Sequence, residues 1–453
     1  MEEAPSARYA RSRTLFVVGS LPLIAFAVWG GYHLATVVGA FGRLDTTSLA
    51  AAWLMSFLAQ WWVPLAWLER PFPVRPESLV VTVQIPVYNE DPATLRACLR
   101  SVLAQSRRPD RVRVVNDGSV ERGVPVKYAR IRKEFLREAR ALGVRVTWDR
   151  TENRGKRFAQ MHVLADDDAD IFVTLDSDSV LDRHAIREGL APFADPKVRS
   201  VAGQVLVLNR TANPLTRLTG VLYLPFTRGL RSAQSVLRRV TINSGTLAFY
   251  RGDVVRRYAG VYENERFAGR PMQMNDDSML TFYALLEGDT VHQPSALVFT
   301  LVPERFGHYF NQQLRWMRGT TVRHLWWLRY MPLTGVVFWT TVAEYAHLVL
   351  AIVLPVTLVM HDGHRGDLGA IGAAALQIGL AMNYLVALRL FTVRRSDEPL
   401  ASLVLAYVLS PVASLWRLLV LRPLYLYAMV TCRRIGRWGT RDGVEVALAG
   451  RGA

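Results

Sequence analysis

Leu79-Val80-Val81-Thr82-Val83-Gln84-Ile85-Pro86-Val87, running directly into Tyr88-Asn89-Glu90, is the stretch whose reading decides the fold. An almost unbroken apolar run that stops at a polar turn reads as a strand buried on both faces, the kind found in parallel sheets. Thr94 to Ala104 reads as the helix that follows it. Arg111 to Val115, Val144 to Trp148 and Ile171 to Leu175 repeat the strand pattern, with helical Lys127 to Leu142 and Phe158 to Ala165 between them. Strands alternating with helices predict an α/β, doubly wound sheet. Ligands of such sheets bind beyond the carboxyl ends of the strands. There the chain carries Tyr88-Asn89-Glu90, Asn116-Asp117-Gly118-Ser119 and Asp176-Ser177-Asp178. Each alone has the composition of an ordinary turn; all three on one rim mark a candidate site.

Outside this domain the chain is built for lipid. Its 453 residues are 51% apolar and 21% charged, which fits neither a wholly soluble protein nor a wholly buried bundle. Thr14 to Ala40 and Thr47 to Trp67 each exceed the ~20 apolar residues that cross a bilayer as helix. The first run is long and a second follows at once, which predicts a retained hairpin and not a cleaved leader. Arg8, Arg11 and Arg13 precede the pair and Glu69, Arg70 and Arg75 follow it. The excess of cations on both flanks predicts that the domain starting near Ser78 is cytosolic.

Downstream, Pro332 to Met360, Leu368 to Leu390 and Leu400 to Thr431 are apolar, separated by His361-Asp362-Gly363-His364 and Arg394-Arg395-Ser396-Asp397. A single crossing by the last run would leave Arg433, Arg434, Arg437 and Arg441 outside, against the same charge rule. Pro411 and Arg422-Pro423 allow that run to fold back as a broken, re-entrant segment. The expected division is a transmembrane hairpin over 1–77, a cytosolic domain over 78–331, and a second membrane region with a C-terminal tail over 332–453. The expected location is the plasma membrane, as a multi-pass protein.

The net charge is +17. A basic stripe is the footprint of nucleic-acid binding, but much of this charge flanks the spans, where it sets topology and meets anionic lipid. The expected partner is therefore the lipid bilayer, with no nucleic acid. Cys98 and Cys432 are lone thiols that make neither a disulfide framework nor a metal site.

Asp176 and Asp178, two apart at a strand end, point their carboxylates to one side. Hard oxygen ligands without His or Cys nearby suit Mg2+ or Mn2+, with the coordination completed by phosphates and water. Glu152-Asn153-Arg154-Gly155-Lys156-Arg157 joins a strand end to a helix start with three cations and a glycine. It reads either as a phosphate cradle or as a solvated basic turn. Asp166-Asp167-Asp168 reads as a solvated charge run or a cap. Asp276 and Asp277 read either as caps on a helix beginning near Ser278 or as functional acids.

Taken in order, these motifs resemble the inverting family 2 glycosyltransferases, and among them the membrane-bound processive synthases. The resemblance runs from about Ser78 to about Arg441. It is carried by Pro-Val-Tyr-Asn-Glu, Asn-Asp-Gly-Ser, Glu-Asn-Arg-Gly-Lys-Arg, Asp-Ser-Asp, Asn243-Ser244-Gly245-Thr246, Asn275-Asp276-Asp277 and Gln312-x-x-Arg315-Trp316. The tail Arg437-Trp438-Gly439-Thr440-Arg441 is similar to that of the streptococcal class of hyaluronan synthases.

This resemblance implies a GT-A-like domain between membrane helices. It implies that Asp117 and Tyr88-Asn89-Glu90 hold uridine, that Lys156 reaches the diphosphate, and that Asp178, with Asp176 beside it, binds metal and nucleotide. Asp277 would be the general base, with Asp276 beside it. Gln312, Arg315 and Trp316 would form the acceptor end, and Trp438 to Arg441 would close over the nucleotide. UDP-GlcNAc and UDP-GlcUA are the implied donors and a growing, secreted polysaccharide the implied product. In two places the chain departs from the hyaluronan pattern: Asn275-Asp276-Asp277-Ser278 replaces Gly-Asp-Asp-Arg, and Ile242 replaces a cysteine. Gln-Gln-Leu-Arg-Trp also resembles chitin-oligosaccharide synthases, the alternative within the class. A non-catalytic export or nucleotide-sugar-binding module is the alternative outside it. Of the aromatic residues Trp316, Trp326, Trp327, Tyr330 and Trp339, interfacial anchoring is expected for Trp326 and Trp327 and sugar stacking for Trp316.

Overall fold

The structure, a computed structural model, describes residues 5–10, 12–39, 60–75, 78–121, 123–163, 167–272, 274–362 and 368–434. Eight strands form the central sheet: β1 Val81–Val87, β2 Arg111–Asp117, β3 Arg145–Thr151, β4 Ile171–Thr174, β5 Ser179–Leu181, β6 Val198–Val207, β7 Ala248–Arg251 and β8 Asp289–Thr300. Their order is β3-β2-β1-β4-β7-β6-β8-β5. Every residue of β1 is buried, as its continuous apolar reading requires, because strands lie on both sides and helices on both faces. β3, β2, β1 and β4 are parallel, the half that alternation of strand and helix foretold.

The second half is mixed. β7 enters from the rim where β4 ends, pairing Ala248 with Thr174 and Arg251 with Ile171, so it runs antiparallel to both β4 and β6. β6 and β8 are parallel, and β5 closes the far edge antiparallel to β8. The result is a GT-A-like mixed sheet. Leu95, Leu99, Ile131 and Phe135 from the helices Pro92–Leu103 and Ala129–Ala141 pack on one face with Val83, Ile85 and Val114. The helices Gly252–Glu263 and Asp276–Glu287 contribute to a second core with Phe172 and Tyr250. The first helix starts at Pro92, ahead of the expected Thr94, because the Asp91 carboxylate accepts from the Thr94 backbone N–H at 2.9 Å and Pro92 suits the first turn.

Asp167 corrects the expectation of a solvated acidic run; Asp166 lies outside the described residues. The Asp167 carboxylate is buried, accepts from Thr82 Oγ1 at 3.1 Å, and pairs with Arg111 at 3.2 Å and Arg113 at 3.0 Å. Arg111 and Arg113 alternate on one face of β2 and so meet the same acid. Asp168 alone is exposed, and it pairs with Arg111.

Three helices among the described residues are long and apolar enough to cross a membrane: Thr14–His33, Gly372–Thr392 and Ser410–Val430. The helix Val336–Asp362 is apolar along Val336–Leu350. Most of the second arm of the expected N-terminal hairpin, 40–59, lies outside the described residues. Ala7–Tyr9 pairs antiparallel with Val393–Arg395. The Ala7 backbone N–H donates to Asp182 at 3.0 Å, and Arg395 Nη1 donates to the Val207 carbonyl at 2.6 Å. The segment before the first membrane helix and the strand after the helix Leu368–Ala387 are thus tied to the β6-β8-β5 side of the sheet. The last apolar run is broken at Leu409 and has a wider turn at Arg417–Leu421. Both its ends return to the domain: Arg210 Nη1 donates to Ser402 Oγ at 3.4 Å, and Arg318 Nε to Thr431 Oγ1 at 3.1 Å.

Buried charge makes the tightest joint between membrane helices and domain. Glu69 accepts from His292 Nδ1 of β8 at 2.8 Å and pairs with Arg389 Nη2 at 3.3 Å. Arg389 also donates to the Ala66 carbonyl at 2.7 Å and to Ser232 Oγ at 2.8 Å. Burial pushes the Glu69 carboxyl up, but His292 and Arg389 outweigh it and hold it below the usual range. Removing one partner strands the others in low dielectric. Glu69→Leu is therefore expected to cost about 3 kcal/mol or more, read as a lowered thermal unfolding midpoint in detergent; an unchanged midpoint would show that the joint contributes nothing.

Candidate active site

The rim is assembled by side chains that hold neighbouring turns. After β1, Asn89 takes a left-handed backbone (φ 49°). Its N–H donates to Ser119 Oγ at 3.0 Å and its Oδ1 accepts from the Val120 N–H at 2.8 Å. Glu90 is buried and accepts from Ser177 Oγ at 2.6 Å, joining the turn after β1 to the turn after β4. At the end of β2, Asp117 accepts from the Arg154 N–H at 3.0 Å, the Gly155 N–H at 2.9 Å and Thr151 Oγ1 at 3.3 Å. Gly118 has φ 68°, and a Cβ there would stand 2.5 Å from the Asn153 backbone nitrogen. Only glycine allows the two loops to close in this way.

The basic loop divides its three cations among different partners. Arg154 lies over the Phe158 ring at 3.7 Å. Arg157 is buried, pairs with Glu265, and donates to the carbonyls of Tyr262 (3.0 Å), Met274 (2.7 Å) and Asn275 (3.3 Å). Lys156 alone of the three lines the cavity, with Nζ 2.8 Å from Asp176 Oδ1 and 2.5 Å from Asp276 Oδ2. Burial pulls its pKa down, but the two carboxylates outweigh burial and raise it. A Cβ on Gly245 would stand 2.8 Å from Lys156 Nζ, so the ammonium approaches this turn closely.

The second acidic pair opens a helix that begins at Asp276 and not near Ser278. Asn275 precedes it with φ 62°, and its Nδ2 donates to the Gly319 carbonyl at 2.7 Å. Asp276 faces Lys156: burial raises its pKa, the ammonium outweighs burial, and the net shift is downward. Asp277 accepts from the Gly245 N–H at 3.2 Å and the Ser278 N–H at 2.7 Å. Burial and then the neighbouring Asp276 charge push its pKa above the usual carboxylate range.

The helix Phe306–Tyr330 supplies the opposite wall with Gln312, Arg315 and Trp316. The Trp316 ring is 41% exposed, with Tyr223 6.0 Å away. Glu90, Lys156, Asp176, Asp178, Asp276, Asp277, Gln312, Arg315 and Trp316 thus surround one cavity of about 520 Å³. Tyr88, Asn89 and Asp117 stand behind it on the rim, and Trp438 and Arg441 lie outside the described residues. Trp326 is half-buried against Phe267, while Trp327 is buried and lines the cavity, which corrects its expected role as an exposed anchor.

The cavity continues past the expected site to Arg323, His324 and Glu344. A periodic signal for part of this wall existed: Gln312, Trp316, Thr320, Arg323 and Trp327 recur at helical spacing on one face. Glu344, an acid within an apolar run, was a signal of another kind. Arg231 is fully buried and donates to Ser244 Oγ at 2.8 Å, bracing the Ser244-Gly245 turn; no sequence pattern pointed to it.

A family model described as "Glycosyltransferase like family 2" matches residues 76–319. The chain belongs to the family 2 glycosyltransferases. It is 30% identical over 437 residues to the hyaluronan synthase of Streptococcus pyogenes, covering 96% of this chain and 98% of that relative. It is 34% identical over 289 residues to an N-acetylglucosaminyltransferase of Rhizobium meliloti, covering 61% of this chain and 66% of the relative. The mannosyltransferase PcManGT from Pyrobaculum calidifontis, solved in complex with GDP-Man and Mn2+, superposes with a TM-score of 0.52 at 21% identity, covering 84% of this chain and 99% of that one. This last likeness speaks for the fold.

In this glycosyltransferase Arg157 holds the Met274-Asn275 turn from which Asp276 and Asp277 project. Misplacing catalytic groups by an ångström costs about 10²-fold in rate. Arg157→Ala is expected to lower kcat by about that factor with little change in donor KM, and Arg157→Lys to recover part of the loss. A fall confined to KM would place Arg157 on substrate instead.

Proposed function

We propose that this glycosyltransferase is a processive, inverting polymerase that uses UDP-GlcNAc and UDP-GlcUA, makes hyaluronan, and passes the polymer out between its own membrane helices. The observation that carries this reading is the continuity of one cavity from Asp176, Asp178 and Lys156, past Asp277 and Trp316, to Glu344 on a membrane helix. Uridine would lie on the rim made by Tyr88, Asn89 and Asp117, with the diphosphate reaching Lys156 and Arg315. An acceptor hydroxyl, held by Trp316 and Gln312, attacks the anomeric carbon as the bond to the UDP oxygen breaks. Asp277 takes the hydroxyl proton, and configuration inverts without a covalent sugar-enzyme intermediate. A pKa above the ordinary carboxylate range, caused by burial and Asp276, suits a base working near neutral pH.

Among the described residues no three His, Cys, Asp or Glu side chains are grouped to hold a cation unaided. Asp176 and Asp178 bring carboxylate oxygens into the cavity, a donor set that fits Mg2+ or Mn2+ completed by diphosphate and water. When bound there, such an ion supplies Lewis-acid stabilisation of the departing diphosphate. Lys156 and Arg315 contribute fixed positive charge to the same group.

Polysaccharide is too polar to cross lipid without a protein path. The cation excess on the flanks of the first two apolar runs supports a cytosolic catalytic domain in the plasma membrane. The return of the last run to Arg318 at Thr431 supports a re-entrant segment. The likeness to an N-acetylglucosaminyltransferase, with Ile242 in place of the cysteine, favours chitin-like oligosaccharide as the second reading.

Membranes given labelled UDP-GlcNAc and UDP-GlcUA together are expected to make long product that hyaluronidase digests. Product formed from UDP-GlcNAc alone and cut by chitinase would select the second reading. Asp277→Asn is expected to lower sugar transfer by at least about 10²-fold while UDP binding persists; full turnover in that variant would remove the assigned base.

A further inference from the structure

Arg323 is a buried cation that the proposed chemistry leaves without a task. It sits on the face of the acceptor helix that carries Gln312 and Trp316, is 5% exposed, and lines the cavity. Its Nη1 donates to Ser278 Oγ at 3.0 Å and its Nη2 to Thr320 Oγ1 at 3.2 Å; its guanidinium carbon stands 4.7 Å from the centre of the Trp327 ring. Its Nε has no hydrogen-bond partner. Among the described residues no carboxylate forms an ion pair with it. Glu344 on the neighbouring membrane helix turns its carboxylate to His324 Nε2 at 3.3 Å instead.

Asp277 and Glu344 act on Arg323 only from beyond ion-pair distance, and burying a guanidinium whose direct contacts are hydroxyls and a ring is expensive unless an anion joins it. Burial draws the pKa down to about 10, so the group stays charged at neutral pH. Two anions are on offer in a site of this kind. The diphosphate has its own cations in Lys156 and Arg315. Arg323 instead adjoins Ser278, Trp327 and the His324–Glu344 pair, where the cavity meets the membrane helix. The anion that fits there belongs to the acceptor. A sugar carboxylate is planar and suits the guanidinium fork, while the sugar's apolar face suits the adjoining indole of Trp327.

We propose that Arg323 determines specificity by binding the carboxylate of a uronate in the acceptor chain, held beside Trp327. This rests on the reading of the Trp316 side as the acceptor end. It adds what that reading lacked, a residue that separates a uronate-containing acceptor from a neutral one.

The test is binding of a hyaluronan tetrasaccharide and of chitotetraose to the full-length protein in detergent, with UDP present, in the wild type, Arg323→Gln and Arg323→Lys. The wild type is expected to prefer the uronate ligand. Arg323→Gln is expected to reduce that preference about tenfold or more, with part of it restored in Arg323→Lys. Retained UDP binding in each variant certifies folding. Equal losses for both ligands, or a wild type without preference, would overturn the role of Arg323 while leaving sugar transfer from UDP-sugars intact. A wild type that binds neither UDP nor transfers sugar would instead bring down the polymerase reading itself.

Discussion

The site depends on one buried ammonium between acids that would otherwise repel. Lys156 joins Asp176, at the end of the parallel half of the sheet, to Asp276, at the start of a helix reached a hundred residues later. Without it the carboxylates of Asp176, Asp276 and Asp277 would share a low-dielectric pocket, where like charges disfavour ionisation. With it, Asp276 is held ionised and its charge raises the pKa of Asp277. Two adjacent acids of one helix turn acquire opposite shifts because Asp276 is paired with the lysine, whereas at Asp277 burial and the Asp276 charge outweigh the opposing effects of Lys156 and the Ser278 N–H.

Close approach makes this possible. Gly245 admits Lys156, Gly118 admits the loop at Asn153, and Gly319 admits Asn275, where a Cβ would stand 1.9 Å from the Asn275 oxygen. The last of these couples the helix Phe306–Tyr330 to the residue that opens the Asp276 helix. A shift of that helix would therefore be felt at the acids, through a backbone carbonyl and one amide group. Membrane and domain are joined in a similar manner. Glu69, His292 and Arg389 come from the end of the N-terminal membrane region, the catalytic sheet and a membrane helix, so the helices and the sheet share one buried polar network.

Much of this was legible because local physics repeats. The continuous apolar reading of β1, the alternation through β4 and the polar rim follow from the needs of a sheet covered on both faces. The acids and the Gln312, Arg315 and Trp316 set were legible as motifs. The mixed second half was not, since the direction of β7 is set by where its preceding turn enters the rim. Asp167 was misread because an acid beside two other acids looks solvated until Arg111 and Arg113 are folded against it. Arg154, Lys156 and Arg157 are nearly consecutive and chemically alike, yet only one of them faces the cavity.

By itself the order of residues determined the α/β class, the membrane runs, the residues on the rim and the Gln312, Arg315 and Trp316 motif. These are properties of periodicity and composition, written within a few turns of chain. Tertiary structure decided which charges meet: Lys156 with Asp276, Glu69 with Arg389, and Arg157 with the Asn275 turn. Ion pairing at that range depends on packing that brings distant segments within a few ångströms in a medium of low dielectric, and no local pattern encodes it.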